Sequence, residues 1–197
     1  MKRYIPMMLT LAALLLVLSG CTGNSTKPLA VESIELFEGD AVKFRPFLGG
    51  MSGAIKLDYT GSKTDMKIDL EEWENGVKKA NAGGMSDLLF NRRGTEKYKS
   101  EIIYAVETIE DMDSPTKLRL KIASAGGNST VTIPLDKVYN GKGMISHGPK
   151  ASYEDTDEVR LWGFQATTGN GIYSSDLSDE GLSKTEWALV AVLRFEK

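Results

Sequence analysis

The sequence predicts an all-β fold, an antiparallel β-sandwich of about eight or nine strands over residues 31–197. From Val31 onward, short runs alternate apolar with polar residues, and turn-forming pairs such as Asn75-Gly76 separate these runs. No long segment shows the helical period of apolar residues that marks an amphipathic helix. Each alternating strand has one apolar face, so two facing sheets are the simplest arrangement that buries those faces.

The strands can be predicted in chain order from the alternation. The apolar runs are Ile55–Tyr59, Met66–Leu70, Tyr98–Ile109, Leu118–Ile122, Val131–Leu135, Val159–Gln165 and Trp187–Phe195. Asn75-Gly76 predicts a tight hairpin, because both residues tolerate the positive φ of a type I′ turn. Trp187–Phe195 is apolar on both faces, which predicts a strand in the middle of a sheet.

Three longer stretches do not alternate and are predicted to be loops. They are Ala80–Lys97, Gly141–Tyr153 and Thr167–Thr185. Connections of this length within a compact domain are usually functional or mobile.

Composition limits the class of protein. The chain has 197 residues, of which 41% are hydrophobic and 26% charged, as in ordinary globular domains. Its formal net charge of −3 argues against nucleic acid as a partner, because binding phosphates requires a basic patch. With one cysteine the chain cannot form an internal disulfide, so its core must hold the fold together.

The N-terminus has the pattern of a secretory signal. Lys2 and Arg3 are followed by the apolar run Met7–Leu18, which is too short to cross a bilayer as a helix. The run ends at Leu18-Ser19-Gly20-Cys21, which resembles the lipobox of bacterial prolipoproteins. The resemblance implies that residues 1–20 are a cleaved signal peptide and that Cys21 carries a diacylglycerol. Residues 21–30 then form a lipidated flexible tether before the domain.

The same resemblance implies a location and one partner. Acyl chains on Cys21 would hold the protein on the membrane, because each buried methylene adds about 0.8 kcal/mol. The expected place is the extracytoplasmic face of a bacterial cell membrane, or the outer membrane if the cell has one. The further partner is an unidentified envelope protein or glycan.

Several residues are candidates for chemistry. His147, the only histidine, is predicted to be a loop residue at the surface, without a catalytic partner. Asp155, Asp157 and Glu158 are weak candidates for calcium, because they offer carboxylate oxygens without the EF-hand spacing. We predict no metal site and no cofactor.

Aromatic residues are the remaining candidates for binding. Trp162 and Phe164 share one face of a predicted strand, and Tyr173 lies in the loop that follows. On an exposed face these rings could stack on a sugar or seat a partner's side chain. The alternative interpretation of Trp162 and Phe164 is that they belong to the core.

The leading functional hypothesis is a lipid-anchored binding or scaffolding module without catalytic activity. It rests on the predicted anchor, the sandwich fold and the lack of a recognisable catalytic motif. One alternative is an envelope hydrolase that uses paired carboxylates among Asp155, Asp157 and Glu158. Another is a structural accessory of a membrane complex.

Overall fold

The computed structural model describes residues 27–89, 93, 97–111, 114–172 and 176–196. Two antiparallel sheets of six and five strands pack face to face, which confirms the predicted all-β sandwich. The strands are β1 (Leu29–Ile34), β2 (Ser52–Tyr59), β3 (Met66–Glu74), β4 (Val77–Met85), β5 (Tyr98–Asp111), β6 (Ser114–Ser124), β7 (Gly127–Pro134), β8 (Gly141–Ser146), β9 (Ala151–Tyr153), β10 (Val159–Thr167) and β11 (Trp187–Phe195).

The six-stranded sheet has the order β7-β6-β5-β2-β1-β9, and the five-stranded sheet has the order β4-β3-β11-β10-β8. The last strand of the chain, β11, therefore lies in the middle of its sheet, as its two apolar faces predicted. It pairs with β3 from Trp187↔Glu74 to Phe195↔Met66, and with β10 on its other side.

The main core lies between the two sheets. Alternate residues of both sheets point into it and are fully buried, so each contributes about 1.5–3 kcal/mol by removal from water. The largest of these side chains are Trp162, Trp187, Tyr59, Phe164, Leu29, Ile55, Leu57, Met66, Ile68, Leu70 and Ile102.

A second, smaller core covers the outer face of the five-stranded sheet. A short helix, α2 (Asp179–Leu182), follows the β10 strand and folds back over this face. Its Leu182 packs in one buried cluster with Val190 and Val192 of β11, and Leu177 packs against the same cluster. This covering segment is the reason that β11 is apolar on both faces.

The hairpin between β3 and β4 has the predicted tight turn, with φ of 48° at Asn75 and 75° at Gly76. Backbone hydrogen bonds join this turn to the segment before β11: Asn75 N donates to Glu186 O (2.8 Å) and Gly76 N to Thr185 O (3.1 Å). Gly76 is also in close contact with Ser183, since a β-carbon there would lie 2.4 Å from Ser183 O. The turn is therefore fixed against residues 183–186.

Eleven strands in the described residues exceed the eight or nine that alternation predicted. The loop prediction for Gly141–Tyr153 is wrong, because β8 and β9 lie within it. The loop prediction for Ala80–Lys97 is wrong at its start, where β4 continues to Met85. The sequence of β8 lacks apolar alternation because the strand contains Gly141 and Gly143. It is an edge strand, and backbone hydrogen bonds pair it with β10. Among its described residues, 167–172 and 176–185, the third predicted loop contains only the last residue of β10 and α2.

The predicted tether over residues 21–30 is too long by two residues. Leu29 and Ala30 begin β1, and Leu29 is fully buried opposite Tyr59 of β2. Proline and small polar residues precede Leu29, so the start of β1 is hard to recognise in the sequence. The buried residues of this strand are Leu29 and Val31. Cys21 and the signal segment lie outside the described residues.

Among the described residues, the other helical region is the connection from β1 to β2. It contains a 3-10 helix (Gly39–Phe44) followed by α1 (Arg45–Leu48), neither of which has a buried residue. No helix in the described part of the chain is long and apolar enough to cross a membrane.

Candidate functional site

The candidate site is a recess on the outer face of the five-stranded sheet, at the end of the strands where β10 meets the covering segment. Its volume is about 360 Å³. We call it the Gln165 recess, after the residue that is buried within it. Its principal lining residues are Asn75, Gln165, Ile172, Lys184, Thr185 and Glu186.

The strand register places Gln165 in the recess. Trp162, Phe164 and Ala166 of β10 belong to the main core, so Gln165 projects from the opposite face. Its neighbours in register are small, Gly143 on β8 and Ala188 on β11, which leaves room above the amide.

Gln165 is 6% exposed, and its side chain has no hydrogen-bond partner among the described residues. Its amide atoms are not among the fully buried side-chain atoms that lack a partner, so the amide is open to the space of the recess. The Gln165 amide is thus a group able to receive a ligand.

The walls of the recess come from three different parts of the chain. Asn75 belongs to the β3–β4 turn, and its own side-chain amide has no partner in the described residues. Ile172 lies over β8, where a β-carbon on Gly143 would come within 2.9 Å of Ile172 Cδ1. Thr185 is 5% exposed and donates from Oγ1 to Leu182 O at 2.7 Å.

The charged groups at the rim are already engaged. Glu186 Oε2 accepts hydrogen bonds from Thr168 N (2.8 Å), Thr167 Oγ1 (3.0 Å) and Thr168 Oγ1 (3.1 Å). The bond from Thr168 N is the main reason that the pKa of Glu186 lies below its ordinary value. Lys184 Nζ pairs with Glu180 Oε1 at 2.9 Å. The recess therefore presents neutral amides and paired charges.

The predicted aromatic binding face is not exposed. Trp162 and Phe164 are both fully buried in the main core, where the Trp162 ring stacks on Tyr104 with centroids 4.5 Å apart. The core alternative applies to both, because the face of β10 that carries them points toward the six-stranded sheet. Tyr173 lies outside the described residues.

The acidic candidates do not come together around a common position. Asp155 Oδ2 accepts from Tyr59 Oη at 3.0 Å, and Asp157 Oδ2 accepts from Glu154 N at 2.9 Å. Glu158 pairs with Arg194, whose hydrogen bonds hold the pKa of Glu158 below its ordinary value. Within the described ranges, no three histidine, cysteine or acidic side chains are arranged to hold a metal.

These contacts also weaken the hydrolase hypothesis. A general acid must hold its proton near neutral pH, which requires a raised pKa. The lowered pKa of Glu158 is opposite to that requirement. Asp155 and Asp157 serve as hydrogen-bond acceptors for neighbouring groups of the fold.

His147 lies in the connection between β8 and β9, so the predicted loop position is correct. It is partly buried rather than free at the surface, and its Nε2 lies 2.9 Å from Tyr153 Oη of β9. Burial lowers the pKa of His147, so the neutral ring is favoured. The contact ties the two edge strands together where the chain crosses between sheets.

Comparison of the chain with protein-family models, curated proteins and solved structures found no match in any of the three. The fold and the recess together define an all-β sandwich protein with a small polar recess on one sheet.

Sequence reasoning missed Gln165 and Asn75. Gln165 alternates with Phe164 and Ala166, a pattern that is typical of a solvated strand face. The apolar outer face of β11 could have indicated the burial of Gln165. An apolar outer face must be covered by another segment, and that segment also lies over the neighbouring strand β10.

Proposed function

We propose that the protein is a lipid-anchored cell-envelope lipoprotein whose β-sandwich is a non-catalytic binding module at the outer face of the membrane. Cys21 is the proposed anchor, and the Gln165 recess is the proposed binding site. The observation that carries the binding role is the amide of Gln165, which lines the recess and has no hydrogen-bond partner in the described residues.

The position of the recess suits an anchored protein. The chain enters β1 at Leu29, opposite Tyr59, and the Tyr59 ring packs against Phe195 at 4.7 Å between centroids. Gln165 instead pairs with Ala188 near the start of β11. At about 3.3 Å per residue, Ala188 and Phe195 are about 23 Å apart along the strand. The recess and the start of β1 at Leu29 therefore lie at opposite ends of the sandwich.

Exposed apolar side chains support the same orientation. Val77, which follows the β3–β4 turn, and Ile172, which lines the recess, are 55% and 40% exposed and lie at the recess end of the five-stranded sheet. Exposed clusters of apolar residues commonly mark interaction surfaces. A partner would thus meet the recess at the end of the domain that points away from the lipid.

Lipidation is tested by Cys21→Ser. We expect this variant to lose fatty-acid labelling and to accumulate as an uncleaved precursor, because serine lacks the thiol that takes the acyl group. Metabolic labelling with an alkyne fatty acid, followed by gel mobility, measures both effects. Ser25→Ala, which leaves the lipobox intact, should label like the wild type. Labelling of Cys21→Ser at the wild-type level would contradict the anchor.

Binding at the recess is tested by site-specific crosslinking in intact cells. A photoreactive residue at position 184, on the rim, is expected to capture an envelope component reproducibly. The matched control is position 121, where Lys121 is similarly exposed on β6 of the other sheet, 53% against 62% for Lys184. Equal capture at both positions, or none at position 184, would contradict the proposed binding site.

A further inference from the structure

We infer that the Gln165 recess binds the acetamido group of a neutral N-acetylated amino sugar. The side-chain amide of Gln165 would form hydrogen bonds with this group. This inference rests on the proposed binding role of the recess and adds the chemical class of the ligand.

The first reason is the hydrogen-bonding capacity of Gln165. A carboxamide offers two N–H donors and one carbonyl acceptor. A secondary amide offers one donor and one acceptor side by side, so the two groups can form a reciprocal pair of hydrogen bonds. A ligand with only acceptors or only donors would displace water from the Gln165 amide and leave part of it unpaired, which is unfavourable.

The second reason is charge. Lys184 is paired with Glu180, and the Glu186 carboxylate accepts three hydrogen bonds from Thr167 and Thr168. A charged ligand would have to compete with the existing partners, Glu180 for Lys184 and the two threonines for Glu186. The recess therefore favours a neutral ligand.

The third reason is size and shape. A volume of about 360 Å³ is near the small end of ligand sites and suits a single sugar ring. Ile172, 40% exposed, supplies an apolar contact for an acetyl methyl group. Asn75, which also lines the recess, supplies a second amide for ring hydroxyls.

The chain offers a direct probe, because Gln165 is its only glutamine. In the full chain, purified in detergent and labelled with ¹⁵N-glutamine, the side-chain amide gives one assigned pair of NMR signals. We expect N-acetylglucosamine to shift these signals with saturation, and glucose to bind at least about tenfold more weakly because it lacks the acetamido group.

Variants separate the amide from the shape of the recess. Gln165→Leu preserves the approximate volume and removes the amide, so saturation-transfer NMR should show binding of N-acetylglucosamine weakened by about tenfold or more. Gln165→Asn, which keeps an amide on a shorter side chain, should retain more binding than Gln165→Leu. Thr130→Ala, on β7 of the other sheet, should bind like the wild type.

Three results would overturn the inference. One is the absence of a Gln165 shift with saturating N-acetylglucosamine, and another is equal binding by Gln165→Leu. The third is a stronger response to N-acetylalanine methylamide, which would assign the recess to peptide amides. Reproducible capture at position 184 without any response to N-acetylglucosamine would overturn only the sugar assignment and leave the proposed binding role in place.

Discussion

Trp187→Ala is expected to lower the free energy of unfolding by about 3–5 kcal/mol, since a large aromatic side chain leaves a cavity in the core. Trp187 is 2% exposed and packs beside Phe164 and Tyr139, with ring centroids 6.1 and 6.2 Å away. Its Nε1 also donates to Glu72 Oε1 at 2.9 Å, a bond that the variant loses. Urea denaturation followed by circular dichroism measures the change.

The control for this variant is Val138→Ala. Val138 is 75% exposed, so its truncation should change stability by no more than about 0.5 kcal/mol. A loss below about 1 kcal/mol for Trp187→Ala would contradict the central place of this side chain in the core.

Deleting β11 altogether should have a still larger effect. Without this strand the five-stranded sheet separates into a β4–β3 pair and a β10–β8 pair, and both cores lose their central members. The truncated chain is expected to unfold without a cooperative transition. A sigmoidal urea curve with the wild-type slope would show that the sheet order is wrong.

Strands whose own side chains determine their burial could be predicted from the sequence. β3 alternates apolar and polar residues from Met66 to Leu70, and β11 is apolar on both faces over most of its length. Glu71 and Glu72 interrupt the alternation of β3, and Trp73 lies on the outer face. β8 could not be predicted, because Gly141 and Gly143 carry no pattern. Their place in the sheet depends on β10 beside them and on Ile172 above them, which lie far along the chain.

The candidate site was hidden for the same reason. Trp162 and Phe164 stand out in the sequence as aromatic residues on one strand face, but both are core residues. Gln165 has the local pattern of a solvated residue, and it becomes buried only because the segment after β10 folds back across the sheet. Local alternation describes one strand, whereas the recess is made by contacts between three separate segments.

A charged cluster on the outer face of the five-stranded sheet also depends on contacts between residues that are distant in sequence. Arg194 of β11 donates from Nη1 to Asp69 Oδ2 (2.8 Å) and from Nε to Glu158 Oε1 (2.9 Å), and its Nη2 also bonds Glu71. Glu71 is bonded by Lys78 as well, and its side chain is only 4% exposed. The burial of Glu71 therefore depends on two cations brought from other strands.

Arg194→Leu is expected to lower the free energy of unfolding by about 3 kcal/mol near neutral pH, as when one partner of a buried ion pair is removed. The value falls at the low end of that range because Lys78 remains beside Glu71. The matched control is Arg119→Leu on β6, where Arg119 and its partner Glu107 are 40% and 47% exposed. That surface pair should contribute no more than about 1 kcal/mol.

The pH dependence distinguishes loss of the ion pair from loss of packing. Burial opposes ionisation of Glu71, but hydrogen bonds from Lys78 and Arg194 outweigh it and hold the pKa of Glu71 below its ordinary value of 4.5. A group with a lowered pKa stabilises the fold above its unfolded pKa and loses that contribution as pH falls through the folded value. Urea denaturation between about pH 3 and pH 7 should thus show the largest difference between wild type and Arg194→Leu above about pH 5, narrowing as Glu71 becomes protonated. A difference that stays constant across this range would mean that Arg194 stabilises the domain through packing of its side chain, and the ion-pair account would then be wrong.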